Sequence, residues 1–270
     1  MKDPALITTY NNVDEIIGHH ELLHEYYSIN LKNERDIIIW FPPSYQSSSK
    51  RYPVLYMHDG QNLFSPSTAF IGKDWRVDET ATNLINQRKI EEFIVVGIYN
   101  NSERLEEYNL WTVKGKKYAS FIIRELKPYV DETYRTKKDR SNTFVMGSSL
   151  GGLCSFQLIW NYPSIFSKAA CLSSSFWIEE KKIFKEIKND KAPLKDISFY
   201  IDCGDDEKEL IDDSKKMMKL LEEIGYVKNQ NLFTHIEKEG KHSEEDWANR
   251  LHIPLIKLFP RKNDSSIYIG

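Results

Sequence analysis

The sequence has few cysteines and no long apolar run, and each shortage excludes a class of protein. Its three cysteines, Cys154, Cys171 and Cys203, are odd in number and widely spaced, so they predict no disulfide framework. Each lies in or beside an apolar run, so we expect buried, reduced thiols and a cytoplasmic location. The longest apolar stretches, such as residues 93–99, are too short to span a bilayer, so no membrane partner is expected. No long apolar segment follows Met1–Pro4, which predicts the absence of a signal peptide.

The chain also lacks a charge excess of either sign. It has 37 basic and 40 acidic residues, a net charge of −3. Nucleic-acid-binding proteins usually have a strong basic excess, so no nucleic-acid partner is expected. With 270 residues, of which 40% are hydrophobic, the chain can bury a core that needs no metal or disulfide for stability. We find no repeat and no shift in composition, so a single domain over residues 1–270 is predicted, with no prediction of its oligomeric state.

Short apolar runs recur along the chain and predict strands. Residues 53–57, 93–99 and 143–146 are almost wholly apolar, which is typical of strands buried on both faces of a parallel sheet. Further strands are predicted at residues 25–30, 36–41, 168–172, 197–203 and 232–237. The first two of these alternate polar and apolar residues, as antiparallel edge strands do.

Helical patterns lie between the later strands. Apolar residues recur at three- and four-residue spacing in residues 118–129, 210–224 and 247–258, with Gly225 in a C-cap position and Pro254 expected to bend the last helix. Strands that alternate with helices imply right-handed crossovers. The prediction is an α/β fold with a mostly parallel central sheet of about eight strands flanked by helices. Sites in such sheets lie beyond the carboxyl ends of the strands.

A candidate nucleophile follows the strand at residues 143–146. Gly147 to Gly151 read G-x-S-x-G centred on Ser149, between a buried strand pattern and a buried helix pattern. A serine at such a sharp strand-to-helix turn has its hydroxyl exposed for attack, and the turn requires small residues two positions before and after it. A glycine-rich turn without chemistry is the alternative reading.

A serine nucleophile needs a base and an acid, which follow it in the order Ser, acid, His. The loop after residues 197–203 contains Asp205, Asp206 and Glu207, and the residue pattern leaves the choice among these carboxylates open. His242 follows the last predicted strand, where a loop could reach back over Ser149. The other six histidines lie before the sheet, before the nucleophile, or inside a strand or helix: His19, His20, His24, His58, His235 and His252.

Attack on an ester carbonyl places negative charge on oxygen, which backbone N–H groups must stabilise. One donor is predicted to be Leu150, the residue after the nucleophile. The other should come from the loop after residues 53–57, where Gly60 and Gln61 are the candidates. This loop could equally be a plain turn that begins at Asp59.

Several stretches together resemble the esterase D-like family of α/β-hydrolases, over nearly the whole chain. They are RYPVLYMHDGQNLF (51–64), WRVDET (75–80), FIVVGIYNNSERLEEY (93–108), FVMGSSLGGL (144–153), SSFW (174–177), YIDCGDDE (200–207) and GKHSEEDWANRL (240–251). The family includes siderophore esterases, feruloyl and acetyl-xylan esterases and mycolyltransferases. The resemblance therefore implies an α/β-hydrolase fold and a serine esterase that needs no cofactor or metal.

The resemblance also assigns roles to individual positions. It implies a catalytic triad of Ser149, His242 and Glu207, with Asp206 as the rival acid. It places Arg104, Tyr108 and Trp177 at the rim of the site as substrate-binding candidates. These three could instead form a surface salt bridge and core aromatic contacts.

Two features bear on the substrate. The predicted site loops have no concentrated cluster of arginine and lysine, which weakens the expectation of an anionic siderophore substrate. Residues 174–195 are rich in lysine and glutamate with apolar residues interspersed, which predicts an amphipathic insertion over the site or a plain surface helix. The expected partner is a small-molecule ester, with aryl or acyl esters, carbohydrate esters and siderophore lactones as candidates.

These observations predict ester hydrolysis through an acyl-enzyme. Two alternatives stay open. An acyltransferase would pass the acyl group to a sugar or lipid hydroxyl instead of water. A binding module would use the same fold without catalysis, although such proteins usually lack one of the three catalytic residues, and all three are present here.

Overall fold

The computed structural model describes residues 7–8 and 15–261. The segment Met1–Pro4, for which no signal peptide is expected, lies outside these residues. The strands of the described chain are β1 (Ile7–Thr8), β2 (His20–Ser28), β3 (Asn33–Trp40), β4 (Val54–His58), β5 (Ile94–Ile98), β6 (Thr143–Ser148), β7 (Lys168–Leu172), β8 (Ser198–Gly204) and β9 (Leu232–Glu237).

All of these strands belong to one sheet, in the order β1-β2-β3-β5-β4-β6-β7-β8-β9. The pairs from β5 to β9 are parallel, whereas β1, β2 and β3 join the sheet as antiparallel strands at one edge. Apart from the two-residue β1, this is the mostly parallel sheet of about eight strands that the sequence predicts. The predicted fold class is therefore confirmed.

Helices connect the parallel strands. They are α1 (Val77–Asn86), α2 (Arg104–Glu107), α3 (Val113–Phe121), α4 (Lys127–Thr133), α5 (Leu150–Asn161), α6 (Ile178–Asn189), α7 (Ile211–Glu223), α8 (Glu244–Arg250) and α9 (His252–Leu258). A π-helical turn, Ile122–Leu126, joins α3 to α4, and short 3-10 helices lie at Gly60–Asn62 and Arg140–Asn142.

The alternation of side chains along the strands divides the core into two layers. Ile37, Tyr56 and Val96 point to one face of the sheet, which is covered by residues of α3, α5, α6 and α7. Ile38, Met57 and their neighbours point to the other face, which is covered by residues of α1, α8 and α9. Both faces of the central strands are therefore buried, and this is why the central strands are apolar throughout.

The central strands follow their predictions to within two residues, but the first two do not. The hairpin of β2 and β3 begins several residues earlier than residues 25–30 and 36–41, because the register of the pair shifts between Leu23 and Tyr26. Glu25 has a left-handed φ of 51° at this bulge. A bulge inserts a residue and reverses the alternation on which the prediction depends.

The predicted last helix is two helices separated at Leu251. Pro254 has no N–H to donate to the carbonyl of Arg250, where α8 ends, so the break agrees with the predicted bend. Gly225 has a φ of 114° just after α7, which confirms its C-cap position.

All three cysteines are buried free thiols, as expected. Among the described residues, no helix combines the length and apolar character that crossing a bilayer would need.

Candidate active site

Ser149 lies between the end of β6 and the beginning of α5, with φ 56° and ψ −120°. A residue other than glycine is strained there, and such strain occurs where function requires a particular direction of the side chain. The N–H of Ser149 donates to the carbonyl oxygen of Leu172 at 2.9 Å, which holds the turn against β7. This geometry matches the nucleophile turn that the sequence predicts.

The glycines two positions before and after Ser149 are closely packed. A Cβ on Gly147 would lie 2.7 Å from the carbonyl carbon of Gly151. A Cβ on Gly151 would lie 3.2 Å from the Cβ of His58. The G-x-S-x-G pattern therefore reflects the tight crossing of strand and helix around the serine.

His242 and Glu207 are brought together from different loops. The Nδ1 of His242 lies 2.7 Å from Oε2 of Glu207. Glu207 is buried, with 5% of its surface exposed. Asp206, the rival acid, is exposed, and so is Asp205. Of the three carboxylates in this loop, Glu207 is thus the one that contacts the imidazole.

Glu207 is held as an ionised acceptor. Its Oε1 accepts hydrogen bonds from the hydroxyl of Ser173 at 2.6 Å and from the N–H of Gly204 at 2.7 Å. Burial raises the pKa of Glu207, but the hydrogen bonds from His242, Ser173 and Gly204 outweigh it, so the pKa lies below its usual value. The carboxylate can therefore orient a neutral imidazole and stabilise the imidazolium.

A buried ion pair that the residue patterns did not predict lies behind Glu207. The guanidinium of Arg250 contacts Asp202 through Nε at 3.0 Å and Nη2 at 3.2 Å. The same Nη2 donates to the hydroxyl of Ser173 at 2.8 Å. Both charged side chains are almost wholly buried. A signal was available, because an arginine directly before Leu251 on the buried part of a helix needs a partner.

Ser149 and His242 line the same cavity, of about 500 Å³. Within the described chain, the Ser149 hydroxyl lies 3.3 Å from the hydroxyl of Ser175 and does not hydrogen-bond to His242. Hydrogen bonds between catalytic groups are often long before substrate binds. The three side chains of the predicted triad therefore converge at one end of the sheet, with the serine turned towards Ser175.

The loop after β4 forms another wall of this cavity. Asp59 adopts a left-handed conformation, φ 59° and ψ 47°, and starts the turn Gly60–Asn62. Gly60 packs on the backbone of Gly97, where a Cβ would lie 2.6 Å from a carbonyl carbon. Gln61 lines the cavity. Of the two predicted donors, Gln61 is the one that borders the space in front of Ser149.

The substrate-binding candidates lie in different surroundings. Arg104 lines the cavity and binds Asp59 through Nε at 2.7 Å and Nη2 at 2.8 Å. Tyr108 is wholly buried and its hydroxyl accepts from the N–H of Asp59 at 3.0 Å, which agrees with the alternative of a core aromatic contact. Tyr108 therefore holds the loop that begins at Asp59 through a buried hydrogen bond and does not contact the rim of the site. Trp177 is half-exposed at the start of α6 but does not line the cavity.

The amphipathic segment around α6 packs onto the core. Ile183, Phe184 and Ile187 are buried, as the pattern of the sequence predicts. The side chains that line the cavity come from other parts of the described chain. The contact of this segment with the site is through Ser175, whose hydroxyl faces Ser149.

His58 is buried beside this loop, and we expect it to make stability depend on pH. Burial lowers its pKa to about 4, and the nearby Arg104 adds to the effect while Asp59 opposes it. Its Nδ1 lies 3.0 Å from the hydroxyl of Tyr118. Because the unfolded chain binds a proton at His58 more readily, the folded state should lose stability as the pH falls from about 6.5 to about 4.

Substituting His58 by Asn should remove this dependence. The difference in unfolding free energy between pH 7 and pH 4.5, measured with urea, should shrink by roughly 1–3 kcal/mol relative to the unsubstituted protein. His252, an exposed histidine, provides the matched control His252→Asn. Equal pH dependence in the two variants would show that His58 does not titrate as described.

The fold is the α/β-hydrolase-like fold of the solved structures that superpose on this chain. A family model described as "Putative esterase" matches residues 28–258, and the chain belongs to this family.

Two solved structures and one curated relative illustrate the similarity. A ferulic acid esterase superposes with a TM-score of 0.71 at 20% identity, over 89% of this chain and 98% of its own. The enterobactin esterase Fes from Shigella flexneri, in the presence of enterobactin, superposes with a TM-score of 0.73 at 20% identity, over 95% of this chain and 60% of its own. The uncharacterized protein YbbA of Bacillus subtilis (strain 168) is 26% identical over 86% of this chain and 95% of its own.

Proposed function

We propose that this protein is a serine esterase that hydrolyses carboxylic esters through an acyl-enzyme on Ser149. The main support is the contact of 2.7 Å between His242 and the buried Glu207, at a cavity that the strained Ser149 also lines. An imidazole that a carboxylate orients, next to a serine on a strand-to-helix turn, is the arrangement that acyl transfer to serine uses.

In the proposed reaction, the Ser149 hydroxyl rotates away from Ser175 and attacks the ester carbonyl. Because Nδ1 of His242 is bound to Glu207, Nε2 is the nitrogen left to take the serine proton. His242 then gives this proton to the departing alcohol. Water attacks the acyl-enzyme with the same imidazole as base, which regenerates Ser149.

The oxyanion would be stabilised by two backbone N–H groups. Leu150 supplies the first, since it is the first residue of α5 and its N–H has no acceptor within the helix. We assign the second to Gln61 in preference to Gly60, because Gln61 borders the cavity. The side-chain oxygen of Gln61 accepts from the N–H of Asn100 at 3.2 Å, which restrains this residue.

A panel of esters tests the proposed activity. The purified full chain should release acid and alcohol from p-nitrophenyl esters of increasing acyl length, feruloyl esters, acetylated xylan and a catecholate trilactone, with at least one class turned over. An added alcohol should give little of a new ester, since a new ester as the main product would mean an acyltransferase. The absence of turnover across the whole panel would contradict the proposed function.

A further inference from the structure

The charged groups at the cavity do not balance. Arg104 and the carboxylates of Asp59 and Glu244 line it. Asp59 binds Arg104 through two hydrogen bonds, so the charge of this arginine is already compensated.

Among residues 15–261, the layer behind His242 provides no unpaired cation. Arg250 is bound to Asp202 through two nitrogens, and Glu207 is bound to His242. Glu207 is also 3.6 Å from Arg250. Two arginines, Arg104 and Arg250, are therefore paired with three carboxylates: Asp59, Asp202 and Glu207. Glu244 is a fourth carboxylate in this region.

Glu244 is a partly buried carboxylate without a cationic partner. Its carboxylate accepts from the side-chain amide of Asn62, at 3.4 Å, and from its own backbone N–H, and no ion pair involves Glu244 in the part of the chain that the structure describes. Burial raises its pKa and the neighbouring Asp59 carboxylate adds to this rise, which the hydrogen bond from its own backbone and the nearby His242 and Arg104 only partly offset. The ionised carboxylate would therefore repel a second negative charge brought by a ligand.

The cavity mouth offers apolar surface, and among the described residues the one arginine that lines the cavity, Arg104, is already paired with Asp59. Phe70 and Ile71, which line it, have 84% and 53% of their surfaces exposed. The N–H of Phe70 donates to the side-chain oxygen of Asn62 at 2.9 Å, so this apolar wall is attached to the residue that contacts Glu244. Such a surface suits an uncharged group that has left water.

The proposed mechanism indicates which part of the ester meets Glu244. His242 must reach the oxygen of the departing alcohol to protonate it, so the alcohol portion lies on the side of His242. Glu244 follows two residues later, at the first position of α8, and lines the same cavity.

We propose that this esterase selects substrates whose alcohol portion is uncharged, and that Glu244 is the residue that discriminates against anionic alcohols. This inference rests on the proposed function. It follows that polyanionic esters are poor substrates of this chain.

A matched pair of acetate esters tests the proposal. 4-Acetoxybenzamide and 4-acetoxybenzoate have the same acyl group and differ in the charge of the phenol that leaves. The ratio of their kcat/KM values, each divided by the rate constant of hydroxide-catalysed hydrolysis, should favour the neutral ester by about tenfold or more. The variant Glu244→Gln should reduce this preference about tenfold, mainly by faster turnover of the anionic ester.

Glu245→Gln provides the matched control. Glu245 is exposed on the same helix and faces a different surface concavity, with Asn249. The variant Glu245→Gln removes the same formal charge from the chain. Because Glu245 faces a different concavity, this variant should leave the preference for the neutral ester unchanged. Equal normalised turnover of the two esters by the unsubstituted enzyme, or an equal response of the two variants, would overturn the proposal.

Binding to the variant Ser149→Ala separates this proposal from the proposed function. Equilibrium dialysis should show weaker binding of 4-acetoxybenzoate than of 4-acetoxybenzamide. If the unsubstituted chain hydrolyses neither ester, the activity assay contradicts the proposed esterase function. The dialysis still tests whether the cavity binds the neutral ester more tightly than the anionic ester. Equal binding of the two esters would then refute the role of Glu244.

Discussion

Substituting Ser149 by Ala should lower kcat for the best ester of the panel by about six decades. The substitution removes the atom that we propose attacks the ester, while the proposed donors at Leu150 and Gln61 and the binding surface remain. The residual rate should therefore still exceed that of the ester in water. Steady-state kinetics at several protein concentrations, with thermal unfolding to confirm an intact fold, would measure the loss.

The neighbouring Ser148 supplies the matched control. It also lies at the cavity, but it is the last residue of β6 and lacks the strained backbone of the turn. Ser148→Ala should keep turnover within about tenfold of the unsubstituted protein. If Ser149→Ala retained more than a few per cent of the original kcat, the attacking group would have to be another residue.

Substituting Glu207 by Gln should lower kcat by about four decades. The neutral amide can no longer stabilise the imidazolium, and its NH₂ group can hold His242 in the wrong tautomer. KM should change little, because Glu207 lies behind the imidazole and does not line the cavity. The kcat and KM values of the variant, measured with the same ester, test both expectations.

Asp206→Asn is the matched control, since it removes a carboxylate from the adjacent, exposed position. It should leave kcat within a few-fold. A severe loss of kcat in Asp206→Asn together with a mild loss in Glu207→Gln would identify Asp206 as the acid. It would contradict the role that we assign to Glu207 from its hydrogen bond of 2.7 Å to His242.

The sheet was largely predictable because its central strands are buried on both faces. Such strands require continuous apolar runs, and residues 168–172 begin and end where the sequence predicts. The hairpin β2–β3 was less predictable, because Glu25 forms a bulge that depends on how the two strands pair. Local patterns describe side-chain burial, but register is a relation between distant segments.

The residues of the site were predictable to different extents. Ser149 and His242 follow from chain order and from the ends of strands, which fix the edge of the sheet where they lie. The choice of Glu207 over Asp206 depended on which of these two adjacent side chains points towards His242. The backbone conformation of the loop decides this direction. The resemblance indicated the choice, and the contact of Glu207 with His242 supports it.

Other contacts could not be derived from the sequence because they join segments that are distant along it. The pair of Arg250 with Asp202 spans 48 positions, and Tyr108 reaches the backbone of Asp59 across 49. Tyr108 matched a family pattern at the rim, but burial gives it a supporting position. The packing of loops determines whether such a side chain is buried or lines the site. Neither the periodicity of apolar residues nor the spacing of motifs contains this information.

The most direct measurement of the central claim is covalent labelling by a fluorophosphonate, followed by intact-mass analysis and peptide mapping. One label per chain, on Ser149, is the predicted result, with labelling much slower in His242→Ala and Glu207→Gln. Stoichiometric labelling of another residue, or undiminished ester hydrolysis by a protein that bears no label on Ser149, would contradict the account.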